Sequence, residues 1–213
     1  MFVNKFNSPY SAGLTGCGFM KDEMTNILPL LMSPDANVLL RREVLANEHL
    51  AIRTETTRNR AVAEFKRRYA AVPISFWQDY LLMSSEAQLV AMFFVILKTY
   101  RITFDIQTSL LVNKWKSVEQ TLTKYEVLEV INQVAEHDDF VEGWSEDTKG
   151  KIASAYLSIL RKVGLLDDKC SLIRNIFLSY DEWSYYIKIG EPWFLEACLL
   201  EQYEVERIKD YAL

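Results

Sequence analysis

Between Phe19 and Glu142 the chain contains no glycine, and only Pro29, Pro34 and Pro73 interrupt it. Tight β-turns draw on glycine for backbone conformations other residues resist, so this stretch is hard to build from hairpins. It is easy to build from helices joined by short polar links. The apolar spacing agrees. Met24, Ile27, Leu28 and Leu31 follow the i, i+3, i+4, i+7 rule, as do Val38, Leu39 or Arg42, and Leu45. Val62, Phe65 and Tyr69 repeat it, and so do Val127, Val130, Ile131 and Val134. Pro29 falls inside the first pattern and predicts a kink or an early stop. Glu86–Lys98 is apolar nearly all round, the mark of a central buried helix, and Ile102–Trp115 is expected to pack beside it. Glycine returns at positions 143, 150, 164 and 190. Ser145 reads as an N-cap followed by acids in the first turn, where the helix dipole favours them. The helix it opens buries Ile152, Tyr156, Ile159 and Val163, and Gly164 can end it in the left-handed conformation. Leu165–Ile176 reads as short strands. Asp181–Ile189, Pro192–Leu200 and Tyr203–Tyr211 read as helices, Pro192 at a helix start.

The expected fold is therefore mainly α: a compact all-helical globule with two helix-turn-helix-like elements and room for a small β-hairpin near residues 165–180. Its expected organisation is an N-terminal helix-turn-helix-like region (1–72), a central helical core (73–142) and a C-terminal winged-helix-like region (143–213), packed closely enough to count as one domain. Half of the 213 residues are hydrophobic and 25% are charged, which excludes a disordered or low-complexity chain. A membrane-spanning helix needs about 20 apolar residues, and the longest apolar run here is Leu89–Leu97. The start, Met1-Phe-Val-Asn-Lys5, has no basic patch ahead of an apolar stretch, so no signal peptide is expected. Cys17, Cys170 and Cys198 lie far apart with no CxxC pair, which argues for a reducing compartment and a cytoplasmic protein.

The functional vocabulary is narrow. Two histidines, His49 and His137, leave no HExxH motif and little scope for a metal site. No phosphate loop, nucleophile elbow or dinucleotide fingerprint occurs. Gly13-Leu-Thr-Gly16-Cys-Gly18 lacks the lysine and the preceding strand of a nucleotide site, and reads as a flexible lead-in to the first helix. His137-Asp138-Asp139 could offer metal ligands, but contiguous residues diverge around a helix, and a helix end is the plainer reading. No enzyme, cofactor or metal is expected.

Charge segregation is the more informative signal. The net charge is −5. Residues 37–72 hold eight bases against four acids, giving +4, and residues 149–174 hold six against two, also +4. Residues 117–147 hold nine acids against one base, giving −8, and residues 175–213 hold eight against three, giving −5. The first basic island has helix-turn-helix spacing: a helix over Asp35–Glu48, a link His49–Arg53, and a second helix capped by Thr54 and running to about Tyr69. With Val62, Phe65 and Tyr69 inward, Thr56, Arg60, Ala63 and Arg67 form the outer stripe, with Asn59 and Lys66 on one flank and Arg68 on the other. Such a helix sets its first half against base edges in the major groove, where arginine suits guanine and asparagine adenine, and its later bases against phosphate. Arg53, Thr56, Asn59, Arg60, Lys66, Arg67 and Arg68 are therefore candidate DNA contacts. A solvated face, with Glu64 pairing to Arg60 or Arg68, is the plain alternative. The second island puts Lys151, Ser154, Ser158 and Arg161 outward on a helix that leads through Gly164 into possible strands, as in winged helices. Lys151, Ser154 and Arg161 join the candidates.

Several stretches resemble BrxA, an all-helical core component of bacteriophage-exclusion (BREX) defence systems. They are Gly13-Leu-Thr-Gly16 before Phe19-Met-Lys-Asp-Glu23, Asn47-Glu-His-Leu50 leading into Thr54-Glu-Thr-Thr-Arg58, and Arg67-Arg-Tyr69. Lys98-Thr-Tyr100 to Phe104-Asp105, and Trp144-Ser-Glu-Asp-Thr148 through Leu160-Arg-Lys-Val-Gly-Leu-Leu166, complete the set. The resemblance implies a non-catalytic, double-stranded DNA-binding protein that assists a methyltransferase and effector proteins; the family's inner-membrane label would rest on runs such as Leu89–Leu97, which is too short to span, so no membrane partner is expected. A protein-protein scaffold of the same assembly, using the acidic stretch and the aromatic-rich tail (Trp183, Tyr185, Tyr186, Trp193, Phe194), is the alternative reading. An RNA-binding helical module is a third.

Overall fold

The computed structural model describes residues 7–167, 169 and 171–212. It groups the chain into two compact units: residues 11–100, and residues 101–213 together with the N-terminal residues up to Tyr10. Among the described residues the fold is helical, with no named strand.

The unit of residues 11–100 contains α1 (Leu14–Cys17), α2 (Lys21–Leu31), α3 (Ala36–Ala46), α4 (Glu55–Ala70), α5 (Ile74–Tyr80) and α6 (Ser85–Thr99). Every side chain from Val90 to Leu97 is buried, so α6 is the central helix that its all-round apolarity predicts. α5 sets Phe76 against Phe94, Tyr69 stacks on Trp77, and the Trp77 indole donates to the Tyr69 carbonyl (3.1 Å). Met24, Ile27, Leu28 and Leu31 are all buried in α2. Pro29 sits in the last turn of that helix, which ends two residues later.

Two expectations are corrected here. Val38 and Leu45 are 67% and 70% exposed, and the inward stripe of α3 is instead Leu40, Glu43 and Val44. The periodic pattern fits two registers of that helix, and the occupied one contains a charged residue that hydropathy discounts. The glycine-rich start is not a loose lead-in. It folds as α1, buries Leu14 and Cys17, and packs on α4.

The other unit contains a continuous helix of α7 (Arg101–Ile106), a widened π turn (Gln107–Leu111) and α8 (Val112–Trp115). α9 (Lys124–Ala135), α10 (Asp139–Glu142), α11 (Glu146–Val163), α12 (Tyr180–Lys188), α13 (Trp193–Ala197) and α14 (Gln202–Ala212) follow. The π turn brings buried Gln107 between two partners. Its amide donates to the Ala197 carbonyl, and its oxygen accepts from Tyr156 Oη at 2.6 Å. Ser145 caps α11, and Gly164 ends it with φ 86°, both as the sequence predicts.

Among the described residues, which leave out 168 and 170, the β-hairpin expected near residues 165–180 reduces to one antiparallel bridge, Leu166 to Ile173, beside a second, Thr121 to Leu172. Neither grows into a strand. The helix cap at Gly164 precedes the first by two residues, and Thr123, the N-cap of α9, follows Thr121 of the second by two.

Candidate nucleic-acid interface

The link between α3 and α4 is held by two buried charges. Glu43, on the inward stripe of α3, accepts the backbone N–H groups of Glu48 (3.3 Å), His49 (2.8 Å) and Leu50 (2.9 Å). Arg58, on the inward face of α4, donates to the carbonyls of Val44 (2.5 Å), Ile52 (2.8 Å) and Arg53 (3.2 Å). Between them they satisfy backbone groups that a structureless link would leave unpaired, which is how buried charges are tolerated. The link also contains Asn47 and Ala51 at φ 55° and 53°, left-handed values that these contacts fix. Thr54 then caps α4 by accepting from Thr57 N at 3.3 Å. The result is a rigid helix–link–helix whose link is longer than the three or four residues of a DNA-binding helix-turn-helix.

The outer stripe of α4 emerges as the period predicts: Thr56, Asn59, Arg60, Ala63 and Lys66 are exposed, and Arg67 is half-buried. Arg53, in the link, is exposed as well. The side chains of Arg53 and Arg60 have no ion pair among the described residues. Glu64 takes neither Arg60 nor Arg68; it pairs with Arg67 (3.5 Å) and accepts from Tyr100 Oη at 3.0 Å. Lys66 donates to Asn37 Oδ1 at 2.9 Å, Asn59 to the Glu55 carbonyl at 3.3 Å, and Arg67 also to Ser11 Oγ.

Arg68 leaves this surface. It is fully buried, and its guanidinium donates to the Phe19 carbonyl (2.7 Å), the Gly18 carbonyl, Cys17 Sγ (3.0 Å) and Tyr100 Oη (3.2 Å). With four of its five N–H donors engaged and the whole side chain buried, this group is out of reach of phosphate. Burial opposes its charge, yet Tyr100, Cys17 and Glu64 around it hold its pKa above the ordinary arginine value. Burial pushes both the Cys17 thiol and the Tyr100 phenol up. The glycine-rich α1 is thus a cap on the C-terminal half of α4, and a Cβ on Gly13 would lie 2.4 Å from the Glu64 carboxylate.

Glu43, Arg58 and Tyr100 were missing from the sequence candidates. Arg58 and Arg68 lie four residues before Val62 and three after Phe65, so helical periodicity alone places both on the inward face. With Arg58, Arg68 and Glu43 buried, the first island presents six bases (Arg41, Arg42, Arg53, Arg60, Lys66, Arg67) against three acids (Glu48, Glu55, Glu64) outside the core, giving +3.

The second patch lies on α11. Lys151, Ser154 and Ser158 are exposed and Arg161 half-buried. Lys151 is paired with Asp147 (2.5 Å), Ser154 bonds back to the Gly150 carbonyl (2.8 Å), and Arg161 approaches Ser171 Oγ (3.5 Å). Lys149 is buried and donates to Asn132 and Glu146, both at 3.0 Å, while Arg174 pairs with Asp167 at 2.6 Å. Its positive charge is more fully paired than that of the α4 patch.

Glu43, Glu48 and His49 place candidate ligand atoms within 4.8 Å of one another. The Glu43 carboxylate is committed to three backbone donors and Glu48 faces Arg42 at 3.7 Å, so this cluster serves the link. Asp138 caps α10 by accepting from Phe140 and Val141, and His137 lies just past the end of α9, as a helix-end reading predicts. No helix among the described residues is long and apolar enough to cross a membrane.

The family model of BrxA matches residues 8–186. The crystal structure of an uncharacterized protein from Magnetospirillum magneticum superposes with a TM-score of 0.72 over 90% of this chain and 98% of that one, at 20% identity. At that identity the likeness speaks for the fold alone. No curated protein matches the chain.

Proposed function

The chain belongs to the BrxA family of BREX components, and from that premise we propose that it is a non-catalytic, double-stranded DNA-binding member of a phage-defence assembly. The principal contact is assigned to the helix-turn-helix-like region of residues 1–72, through Arg53, Thr56, Asn59, Arg60, Lys66 and Arg67. A secondary contact is assigned to the winged-helix-like region of residues 143–213, through Lys151, Ser154 and Arg161. One observation carries the reading: α4 presents Thr56, Asn59, Arg60 and Ala63 on one exposed stripe beside Arg53, the two arginines having no ion pair among the described residues, on a helix pinned by Glu43 and Arg58. The N-terminal half of that helix carries the residue types that read base edges, the small Ala63 permits close approach, and Lys66 and Arg67 follow where phosphates run. The net charge of −5 makes such binding depend on local patches.

The test is a titration of labelled duplex by fluorescence anisotropy at several salt concentrations. Log affinity should fall linearly with log salt, and the slope counts the phosphate contacts. Arg60→Ala should weaken binding and, for a specific base contact, remove about 1–3 kcal/mol of discrimination. Arg67→Ala should lower affinity evenly and reduce the slope by about one. Unchanged binding in the folded double variant transfers the principal contact to Lys151 and Arg161. No binding at low salt overturns the reading and leaves both patches as docking surfaces for other members of the assembly.

A further inference from the structure

α3 carries an exposed face that DNA binding does not use. Val38, Arg41, Arg42 and Leu45 follow the i, i+3, i+4, i+7 spacing and all four are exposed. Phosphates would reward the arginines but gain nothing from two aliphatic side chains, each two-thirds or more exposed. Arg41 has no ion pair among the described residues, and Arg42 has only the exposed, long contact to Glu48. A face of two aliphatics around two arginines suits a helix that offers carboxylates and some apolar surface.

The other unit of the same chain offers one. On α9, Tyr125, Glu129 and Gln133 lie on one exposed stripe that runs on to Glu136, the C-cap, and Tyr125 is 69% exposed. Glu129 and Glu136 have no ion pair among the described residues. Glu136 also sits at the negative end of its helix, where an anion is disfavoured and an outside cation would relieve it. The charge balance points the same way: residues 11–100 carry ten bases against nine acids, giving +1, while residues 1–10 with 101–213 carry fourteen against twenty, giving −6.

We propose that the Val38–Arg41–Arg42–Leu45 face of α3 docks the Tyr125–Glu129–Glu136 face of α9 on a second copy of this chain. Val38 and Leu45 are about 10 Å apart along α3, close to one helix diameter, so α9 of the second copy crosses steeply between them. Glu129 and Glu136 are separated by about the same distance along α9 and fall on the two flanks of α3, where Arg41 and Arg42 project about 100° apart. Two different faces meet, so the pair keeps one of each free. The contact is head-to-tail and extends into chains unless its rotation closes a ring. A single helix crossing buries less than a standard interface, so the association is weak and salt-sensitive.

Sedimentation of the full-length protein without DNA, from micromolar to near-millimolar concentration, tests this at about 50 mM and about 500 mM salt. The weight-average mass should rise with concentration at low salt, beyond that of a dimer or to a fixed ring size, and fall back to the monomer at high salt. Arg41→Glu with Arg42→Glu, and separately Glu129→Lys with Glu136→Lys, should each weaken association at least about tenfold. All four positions are exposed, and an unchanged circular dichroism melt checks each fold. Mixing the two variants should restore association, because one then carries two acidic faces and the other two basic ones, so each face of one finds an opposite face on the other. A parent that stays monomeric at low salt overturns the proposal. So does association that survives both variants, or that is not restored on mixing them.

Discussion

Replacing Arg68 with methionine keeps most of the side chain's volume and removes its five donors, isolating what the buried guanidinium contributes. The Phe19 and Gly18 carbonyls each lose a charged donor, and an orphaned buried acceptor costs about 1–3 kcal/mol. Tyr100 keeps Glu64 as an acceptor, so its loss is smaller. Methionine's apolar fit offsets part of the total, leaving about 3–4 kcal/mol, within the range for breaking a buried charge network. Because the chain forms two compact units, the local reading is native-state hydrogen exchange. Protection of amides in α1, α2 and the C-terminal half of α4 should fall by two to three orders of magnitude, roughly, while α9 and α11 change little. The salt slope of DNA binding should match the parent's under conditions where the variant is folded, since Arg68 touches no phosphate. A loss below about 0.5 kcal/mol would refute the energetic argument, and a salt slope lowered by about one would refute the burial argument.

Three further outcomes are expected. Gly13→Ala fits the backbone (φ −57°) but drives a methyl into the Glu64 carboxylate, so it should cost about 1–3 kcal/mol by thermal melt, and its effect should not add to that of Glu64→Ala. Ala51→Gly relieves a left-handed residue at φ 53° and should raise stability by up to about 1 kcal/mol after the added chain entropy; a lower melting temperature would contradict that geometry. Burial pushes the Tyr80 phenol up to about 12, against about 10 in the unfolded chain. The protonated phenol is therefore favoured by folding; its stabilising share is intact below pH about 10 and is lost as pH rises to about 12, amounting to about 2–3 kcal/mol. Urea unfolding at about pH 9 and about pH 11.5, followed by tyrosinate absorbance, checks the sign. Full tyrosine ionisation in still-folded protein at the higher pH would contradict it.

The sequence by itself determined most of the longer helices, though not the short α1 and α10. Helical periodicity, the Thr54 and Ser145 caps, the Gly164 terminator and the apolar Glu86–Lys98 block act within a few residues of one another, where local physics decides. It also determined the outer stripe of α4, because Val62 and Phe65 fix the opposite face. The tertiary structure decided what each charge is for. Arg60 and Arg68 are the same residue type on the same helix, yet one meets water and the other meets the carbonyls of residues about fifty positions earlier. Periodicity puts Arg58 on the inward face of α4, but only the closed link shows that its charge and that of Glu43 are partners of the link's backbone. The expected hairpin was decided in the same way. Leu165 and Leu166 have strand-like composition, but pairing needs partners of matching length, and neighbouring helix caps cut both segments short. Local sequence sets which conformations a segment prefers, while burial of a charge depends on non-local carbonyls and carboxylates that no window along the chain contains.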